Sequence, residues 1–353
     1  MNEENAPSVI EPKSLPPQKI FWQTHARTII IGVCAIIIAG AAVVTSILLN
    51  PPKPTKQASQ TSIARAKTDK PQQTTSPNTI NTWKSTVNPQ AIPLGDGHIS
   101  TSPKAGYIMS CTTNFRGGGA MRTGSWINTA NGTWDSETKV AVSGSVNWEQ
   151  ASYAVSTSGN SRILKTNDLP LSDPTGIFPI QSSDPAWQYD RNPNTIIAND
   201  TTYTLPLNPV PANSPSCTNL GAIGVINNGV FLFNGLDAAG RDAVAYETQD
   251  SCSGHPDGQK EYHYHDVPRC VMDRAKGSST LVGYALDGYG IYVERDAAGN
   301  LPTNADLDEC HGRTSSIMWD GVSTAMYHYD ATLEYPFTVG CYHGTPVTTA
   351  HQR

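Results

Sequence analysis

Apolar and polar positions divide the chain into successive regimes. Residues 1–27 are polar and carry prolines, and read as a short disordered tail. An uncharged run of 22 residues, Thr28–Leu49, follows, rich in Ile, Val and Ala. At 1.5 Å per residue a helix of that length spans about 33 Å, enough to cross a hydrocarbon core of about 30 Å. It lacks the polar stripe of a helix buried in a soluble core, and it is longer and later than a cleaved signal core. The pattern therefore predicts a single-pass membrane anchor. Residues 50–104 are Thr, Ser, Pro, Gln, Asn and Lys with few apolar positions. Such a segment buries too little surface to offset its ordering entropy and is expected to be a flexible tether. Residues 105–347 form the folded domain, and 348–353 a disordered end.

Within 105–347 short apolar runs alternate with turn formers. Trp126–Asn128, Lys139–Val142 and Tyr153–Val155 are separated by Asn131-Gly132 and Ser143-Gly144. Ile223–Phe233 reads as two strands across Asn227-Asn228-Gly229, and Leu281–Glu294 as another pair across Asp287-Gly288, both tight-hairpin signals. One helix is expected over Ala238–Gln249, started by Asp237 and covering a sheet edge. The fold predicted is mostly β, sandwich-like or a distorted barrel, held by disulfides.

Charge and cysteines then place the domain. The net charge is −6 and no basic patch is visible beyond the tether, which argues against nucleic acid as a partner. Of seven cysteines, Cys34 lies in the apolar run and six lie beyond it, the usage of an oxidising compartment. Lys13, Lys19 and Arg27 before the run are outnumbered by Lys53, Lys56, Arg65, Lys67 and Lys70 after it, which by itself would put the domain inside. Long domains translocate largely regardless of such charges, so the cysteines decide: the tail is expected inside and the domain outside the cell membrane. Six cysteines allow 15 pairings. Cys252–Cys270 and Cys310–Cys341 are expected because each pair brackets a histidine arm, which leaves Cys111–Cys217.

The chemistry concentrates between Asp250 and Cys270, where His255, His263 and His265 stand, three of the nine histidines. In an extended Tyr262-His263-Tyr264-His265 strand both imidazoles share one face, about 6–7 Å apart at the backbone, within reach of one metal ion, and the tyrosines take the other face. A weaker echo follows: Asp308-Glu-Cys310-His311-Gly312, then Tyr327-His328-Tyr329-Asp330. If the two arms are structural equivalents, their strands are expected to pair and face a shared centre. His328 or His255 is then the third ligand, and His255, His311 and Asp330 stand as fourth ligand or support. Imidazole-rich sites suit a divalent transition metal, zinc or copper, with iron also open. The competing reading is a set of hydrogen-bonded strand histidines without metal.

Other chemistries find little purchase. Gly117-Gly118-Gly119 lacks the Lys-Ser/Thr of a phosphate loop, and the Asp-Gly turns lack the alternating acids of a calcium loop. A cupin-like site fails because Arg269 and Cys270 stand where an acidic ligand is needed. A cysteine–zinc cluster is disfavoured because extracellular thiols pair. Trp126, Trp134, Trp148, Trp187 and Trp319 would make either a sugar platform or core.

The stretch Cys252-Ser-Gly-His255, the Tyr262–His265 motif, Gly283-Tyr-Ala-Leu-Asp-Gly288, Leu307–Gly312 and Tyr335–Cys341, with Gly176–Ile180, Tyr189–Pro193 and Asn234–Ala238 upstream, resembles the YHYH protein family over roughly 175–345. The resemblance implies a secreted or surface-anchored β-rich domain and no particular activity. Asp330 departs from it, since a histidine at that position would match better. Three classes of function follow: a metal-dependent extracellular enzyme, oxidative with copper or hydrolytic with zinc; a surface module binding glycan or another ligand without turnover; and a structural exoprotein without metal. Asp266 and Asp287 are the acid–base candidates for the first. The topology has a direct test. Protease added to intact cells should remove the domain, and complete protection on cells with an accessible surface would overturn the anchor.

Overall fold

The computed structural model describes residues 84–348, and eight strands make its largest sheet: β1 (Ala222–Ile226), β2 (Phe231–Phe233), β3 (Gly254–Pro256), β4 (Tyr262–Tyr264), β5 (Ser279–Ala285), β6 (Gly290–Glu294), β7 (Gly312–Trp319) and β8 (Val322–Asp330). The expected anchor Thr28–Leu49, the tail 1–27, the tether up to residue 83 and residues 349–353 lie outside the described residues. Among those described, no helix is long and apolar enough to cross a membrane.

The strand order β3-β4-β2-β1-β5-β6-β8-β7 repeats one four-strand unit about a pseudo-two-fold axis between β1 and β5. In each unit a hairpin (β1–β2, β5–β6) is antiparallel. The chain then crosses over to lay the last strand parallel to the hairpin (β4 on β2, β8 on β6). A remaining strand closes the edge antiparallel (β3 on β4, β7 on β8). The axis passes through the pair Val225↔Tyr284, flanked by Gly224↔Ala285 and Ile226↔Gly283. Both hairpins turn on the same chemistry. The Gly229 and Gly288 N–H groups donate to Ile226 and Ala285 carbonyls at 2.8 and 2.9 Å, with φ of 93° and 91° that glycine alone tolerates without strain. Asn228 Oδ1 and Asp287 Oδ1 cap the next strand at Val230 and Tyr289.

Glycine is also required where the halves meet. A Cβ on Gly224 would lie 2.7 Å from the Tyr284 carbonyl oxygen, and one on Gly283 would lie 2.7 Å from that of Val225. These are backbone-to-backbone contacts, which no rotamer change relieves.

β1 and β6 are buried along their whole length, so the sheet is covered on both faces at its centre. One covering layer is the antiparallel meander Tyr153–Ser158, Ser161–Thr166 and Thr201–Pro206. Its Leu164, Tyr203 and Leu205 join the main core. Buried Arg162 fixes it to the β7–β8 turn through a bidentate pair with Asp320 at 3.0 and 2.8 Å, its guanidinium 4.8 and 4.7 Å from the Tyr284 and Trp319 ring centres. A second core joins Ile92, Trp126 and Trp134 to Tyr246, Tyr335 and Phe337.

The domain is thus mostly β with little helix, but it is not a barrel: β3 and β7 are the two ends of an open sheet. The fold also begins earlier than residue 105, since Ile92 and Leu94 are buried and His98 stacks on Tyr107 at 4.6 Å. Lys139–Val142 is not a strand but a segment with one isolated bridge at Val142. The helix expected over Ala238–Gln249 shrinks to α1, Ala243–Tyr246, and its cap is Asp242 rather than Asp237. Asp237 instead closes the preceding loop by accepting from the Ala239 and Arg241 N–H groups. Trp126, Trp134 and Trp319 are core residues, which removes them from any sugar platform.

The symmetry of the axis makes a paired prediction. Gly224→Ala and Gly283→Ala should each destabilise the fold by about 1–3 kcal/mol through overpacking. Gly258→Ala, where an added Cβ meets nothing within 4 Å, should be close to neutral. Denaturant melts that left the first two unaffected would remove the close backbone approach from the account.

Candidate metal centre

The site begins with a loop that a buried carboxylate ties. Asp250 Oδ1 accepts from the Cys252 and Gly254 N–H groups at 2.9 and 3.2 Å, and Oδ2 from Gly176 N–H and the Tyr262 hydroxyl at 2.8 and 2.7 Å. Ser253 takes a φ of 66° to close the loop. A Cβ on Gly254 would overlap the Tyr262 ring at 2.2 Å, so glycine there lets β3 lie flat against β4. The pairing sets His255 directly across from His263. Two residues on, His265 follows His263 on the same face. Tyr262 and Tyr264 turn to the opposite face, where Asn228 donates to the Tyr264 hydroxyl at 2.9 Å.

All three imidazoles are buried, and their ligand atoms gather within 4.8 Å of one another. His263 Nδ1 lies 3.1 Å from the Glu261 carbonyl and His265 Nδ1 lies 2.5 Å from that of Asn234. A carbonyl only accepts, so both Nδ1 atoms carry hydrogen and both Nε2 atoms point inward. These Nε2 atoms are 3.1 Å apart. The Phe233 ring stacks on His263 at 3.9 Å and holds its plane. A fourth donor arrives from outside the sheet. Glu247, which ends α1, places Oε2 3.2 Å from His255 Nε2 and 3.1 Å from His265 Nε2. His255 Nδ1 has no hydrogen-bond partner among the described residues.

Electrostatics bind this group together. Burial alone would raise the Glu247 carboxyl, but His255 and His265 outweigh it and hold the group well below the usual carboxylate range. Burial, with His255 and His265 nearby, keeps the His263 imidazole well below its ordinary value and therefore neutral. A pocket of about 440 Å³ opens beside the donors, lined among others by Asp190, Asn192, Leu220, Phe233 and Asp237. Gly119 closes one wall, where a Cβ would come 3.1 Å from Glu247 Oε1.

The second arm builds the same local structure elsewhere. Asp308 Oδ1 accepts from the Cys310 and Gly312 N–H groups, both at 3.0 Å, and from the Tyr327 hydroxyl at 3.1 Å. His311 takes the positive φ of Ser253, and Tyr329 donates to Asp287 as Tyr264 pairs with Asn228. The arms are therefore equivalent, but they do not pair and share no centre. Four strands, β2, β1, β5 and β6, lie between β4 and β8, a separation on the order of 20 Å. The expectation fails because each arm pairs in parallel with its own hairpin, which sends the two arms to opposite ends of the sheet. His328 consequently cannot be a third ligand with His263 and His265. It lies with Asp330 and Glu294 in a second cluster, Nε2 3.8 and 3.4 Å from their carboxylates. Arg313 pairs there with both acids. Burial would raise Glu294, but His328 and Arg313 hold it at about 2, whereas burial pushes Asp330 up to about 7. His311 belongs to neither cluster. It is buried against Thr332 at 3.0 Å, and burial lowers it to about 3.

The disulfides in the structure are Cys111–Cys217, Cys252–Cys270 and Cys310–Cys341. Neither acid–base candidate reaches the histidine pocket. Asp287 sits in the β5–β6 turn, and Asp266 lines a separate cavity with Lys139 and Arg269. The carboxylate that does reach it, Glu247, was masked in the sequence by the apolar Ala243-Val244-Ala245-Tyr246 run, which reads as a covering helix.

No curated protein and no solved structure matches the chain. The model of the YHYH protein family matches residues 202–302, which hold β1 to β6 and the Glu247, His255, His263 and His265 donors, so the chain carries a YHYH domain.

Proposed function

We propose that this domain binds one divalent transition metal ion, zinc or copper, through the Nε2 atoms of His255, His263 and His265 and the carboxylate of Glu247. The observation that supports it is the 3.1 Å approach of two Nε2 atoms whose Nδ1 hydrogens are already given to backbone carbonyls. Two inward lone pairs repel unless a cation or a proton lies between them, and burial disfavours the proton on His263. A metal ion with ligand bonds of about 2.0–2.1 Å in tetrahedral geometry separates its ligand atoms by about 3.3 Å. The separations of 3.1 and 3.2 Å along this cluster correspond to such edges. The carbonyls of Glu261 and Asn234 then fix the ring orientations from behind, the usual support of metal-bound imidazole. The pocket beside the ion leaves room for a small exogenous ligand. In the same reading the domain is displayed outside the cell, anchored through Thr28–Leu49, for which the apolar run and the disulfides speak.

The purified full chain should carry one equivalent of zinc or copper by elemental analysis and lose it to a chelator with a fall in Tm. At a free metal concentration of about 100 Kd the ion should add about 2.7 kcal/mol to stability. His263→Ala with His265→Ala should abolish binding while the disulfides remain closed, and Glu247→Gln should weaken it at least about tenfold. Binding must compete with a proton on His255, which burial would lower but Glu247 raises above its ordinary value, so affinity should fall as pH drops, starting above about 6.5. A parent protein without stoichiometric metal, or a double variant that binds as the parent does, would leave a hydrogen-bonded histidine cluster as the reading instead.

A further inference from the structure

The second cluster repeats the strand part of the first with two substitutions of charge, and takes its other carboxylate, Glu294, from the end of β6 rather than from a helix outside the sheet. His328 occupies the place of His263: its Nδ1 faces the carbonyl two residues back, Met326 at 3.2 Å, as His263 faces Glu261 at 3.1 Å. Tyr292 packs on His328 where Phe233 packs on His263. Asp330 follows His328 as His265 follows His263. The cross-strand partner of His328 is Arg313, where that of His263 is His255. Arg313 reaches between the acids, Nη2 2.8 Å from Glu294 and Nε 2.9 Å from Asp330. His328 and Asp330 are fully buried; Asp330 Oδ1 has no hydrogen-bond partner among the described residues, while Asp330 Oδ2 is met by Arg313 Nε and His328 Nε2 faces Glu294.

We infer that the Glu294–His328–Asp330 cluster is a second cation site of the same design, in which the guanidinium of Arg313 permanently supplies the positive charge and keeps metal out. Two carboxylates and one imidazole gathered in a buried setting need a cation, and an isolated buried charge costs several kcal/mol. The donor set suits zinc, manganese or ferrous iron as well as it suits a guanidinium. Only the comparison between the halves rests on the proposed first centre; the second site stands on its own buried donors and the unpartnered Asp330 Oδ1.

The test is metal stoichiometry with zinc as the probe, measured by elemental analysis after gel filtration. Arg313→His should add one equivalent to whatever the parent binds, and His328→Ala placed on that background should remove it. The triple variant His263→Ala, His265→Ala, Arg313→His should retain one equivalent. In the parent, His328→Ala should leave the stoichiometry unchanged. Should Arg313→His fail to give a cooperative melt, Arg313→Ala carries the same expectation of a gained equivalent. A folded Arg313 variant with no added zinc overturns the inference, as does a parent whose zinc content drops on His328→Ala. A parent that binds no zinc defeats the first centre alone, because a gain on Arg313→His is read against that zero.

Discussion

Asp250 is buried, takes no part in the histidine cluster, and yet decides where its histidines stand. Its two oxygens accept four hydrogen bonds, from the N–H groups of Gly176, Cys252 and Gly254 and from the Tyr262 hydroxyl. One carboxylate thereby joins the loop entering β3, the strand face opposite the imidazoles and a distant segment. Removing it would leave three buried N–H groups and a hydroxyl unsatisfied, each at a cost of about 1–3 kcal/mol. Because β3 then pairs with β4 in one register only, His255 lies opposite His263, and the first two donors of the cluster follow from a group that touches neither. Asp308 does the same work in the other half. The disulfides Cys252–Cys270 and Cys310–Cys341 start from equivalent positions in the two loops, so covalent closure secures what the carboxylates direct.

Much of this could be read from the residues before the structure was known. Asn228-Gly229 and Asp287-Gly288 mark hairpins because a tight turn demands positive φ and glycine provides it. His263 and His265 share a face because strand periodicity is two. The echo of Asp-x-Cys loops and Tyr-His-Tyr strands was visible because every repeated residue there has a structural duty: the acid binds the N–H groups, the glycine admits the tyrosine ring, and the tyrosine hydroxyl reaches back.

What escaped reading is what depends on connection rather than on pattern. Parallel pairing of each arm with its own hairpin is a property of the crossover, and no local periodicity reports it, so a shared centre with His328 looked natural. Glu247 comes from the end of a four-residue helix in the segment between hairpin and arm. A single acid after an apolar run carries no spacing signal toward histidines 8 and 18 residues further on. Residues 84–104 looked like tether because Ile92 and Leu94 are isolated apolar positions, and isolated residues become core only when another element, here the layer of Trp126 and Trp134, meets them.

The two halves show how one backbone design takes opposite electrostatic solutions. In the first, three imidazoles and one carboxylate converge, and Glu247 is compensated there only by a proton or an ion held among the imidazoles. In the second, His255 has become Arg313 and His265 has become Asp330, so the half gains a fixed cation and a second anion together. Either change alone would be costly. An arginine in place of His255 would face the two remaining imidazoles and repel any ion or proton there, and an aspartate beside Glu294 and His328 without Arg313 would be a buried charge with insufficient compensation. The geometry is preserved through the exchange because it is set on the other face of the strands, by Tyr262 and Tyr264 with Asp250 and Asn228, and by Tyr327 and Tyr329 with Asp308 and Asp287. Chemistry on one face of the sheet is free to change as long as the hydrogen bonds on the other do not.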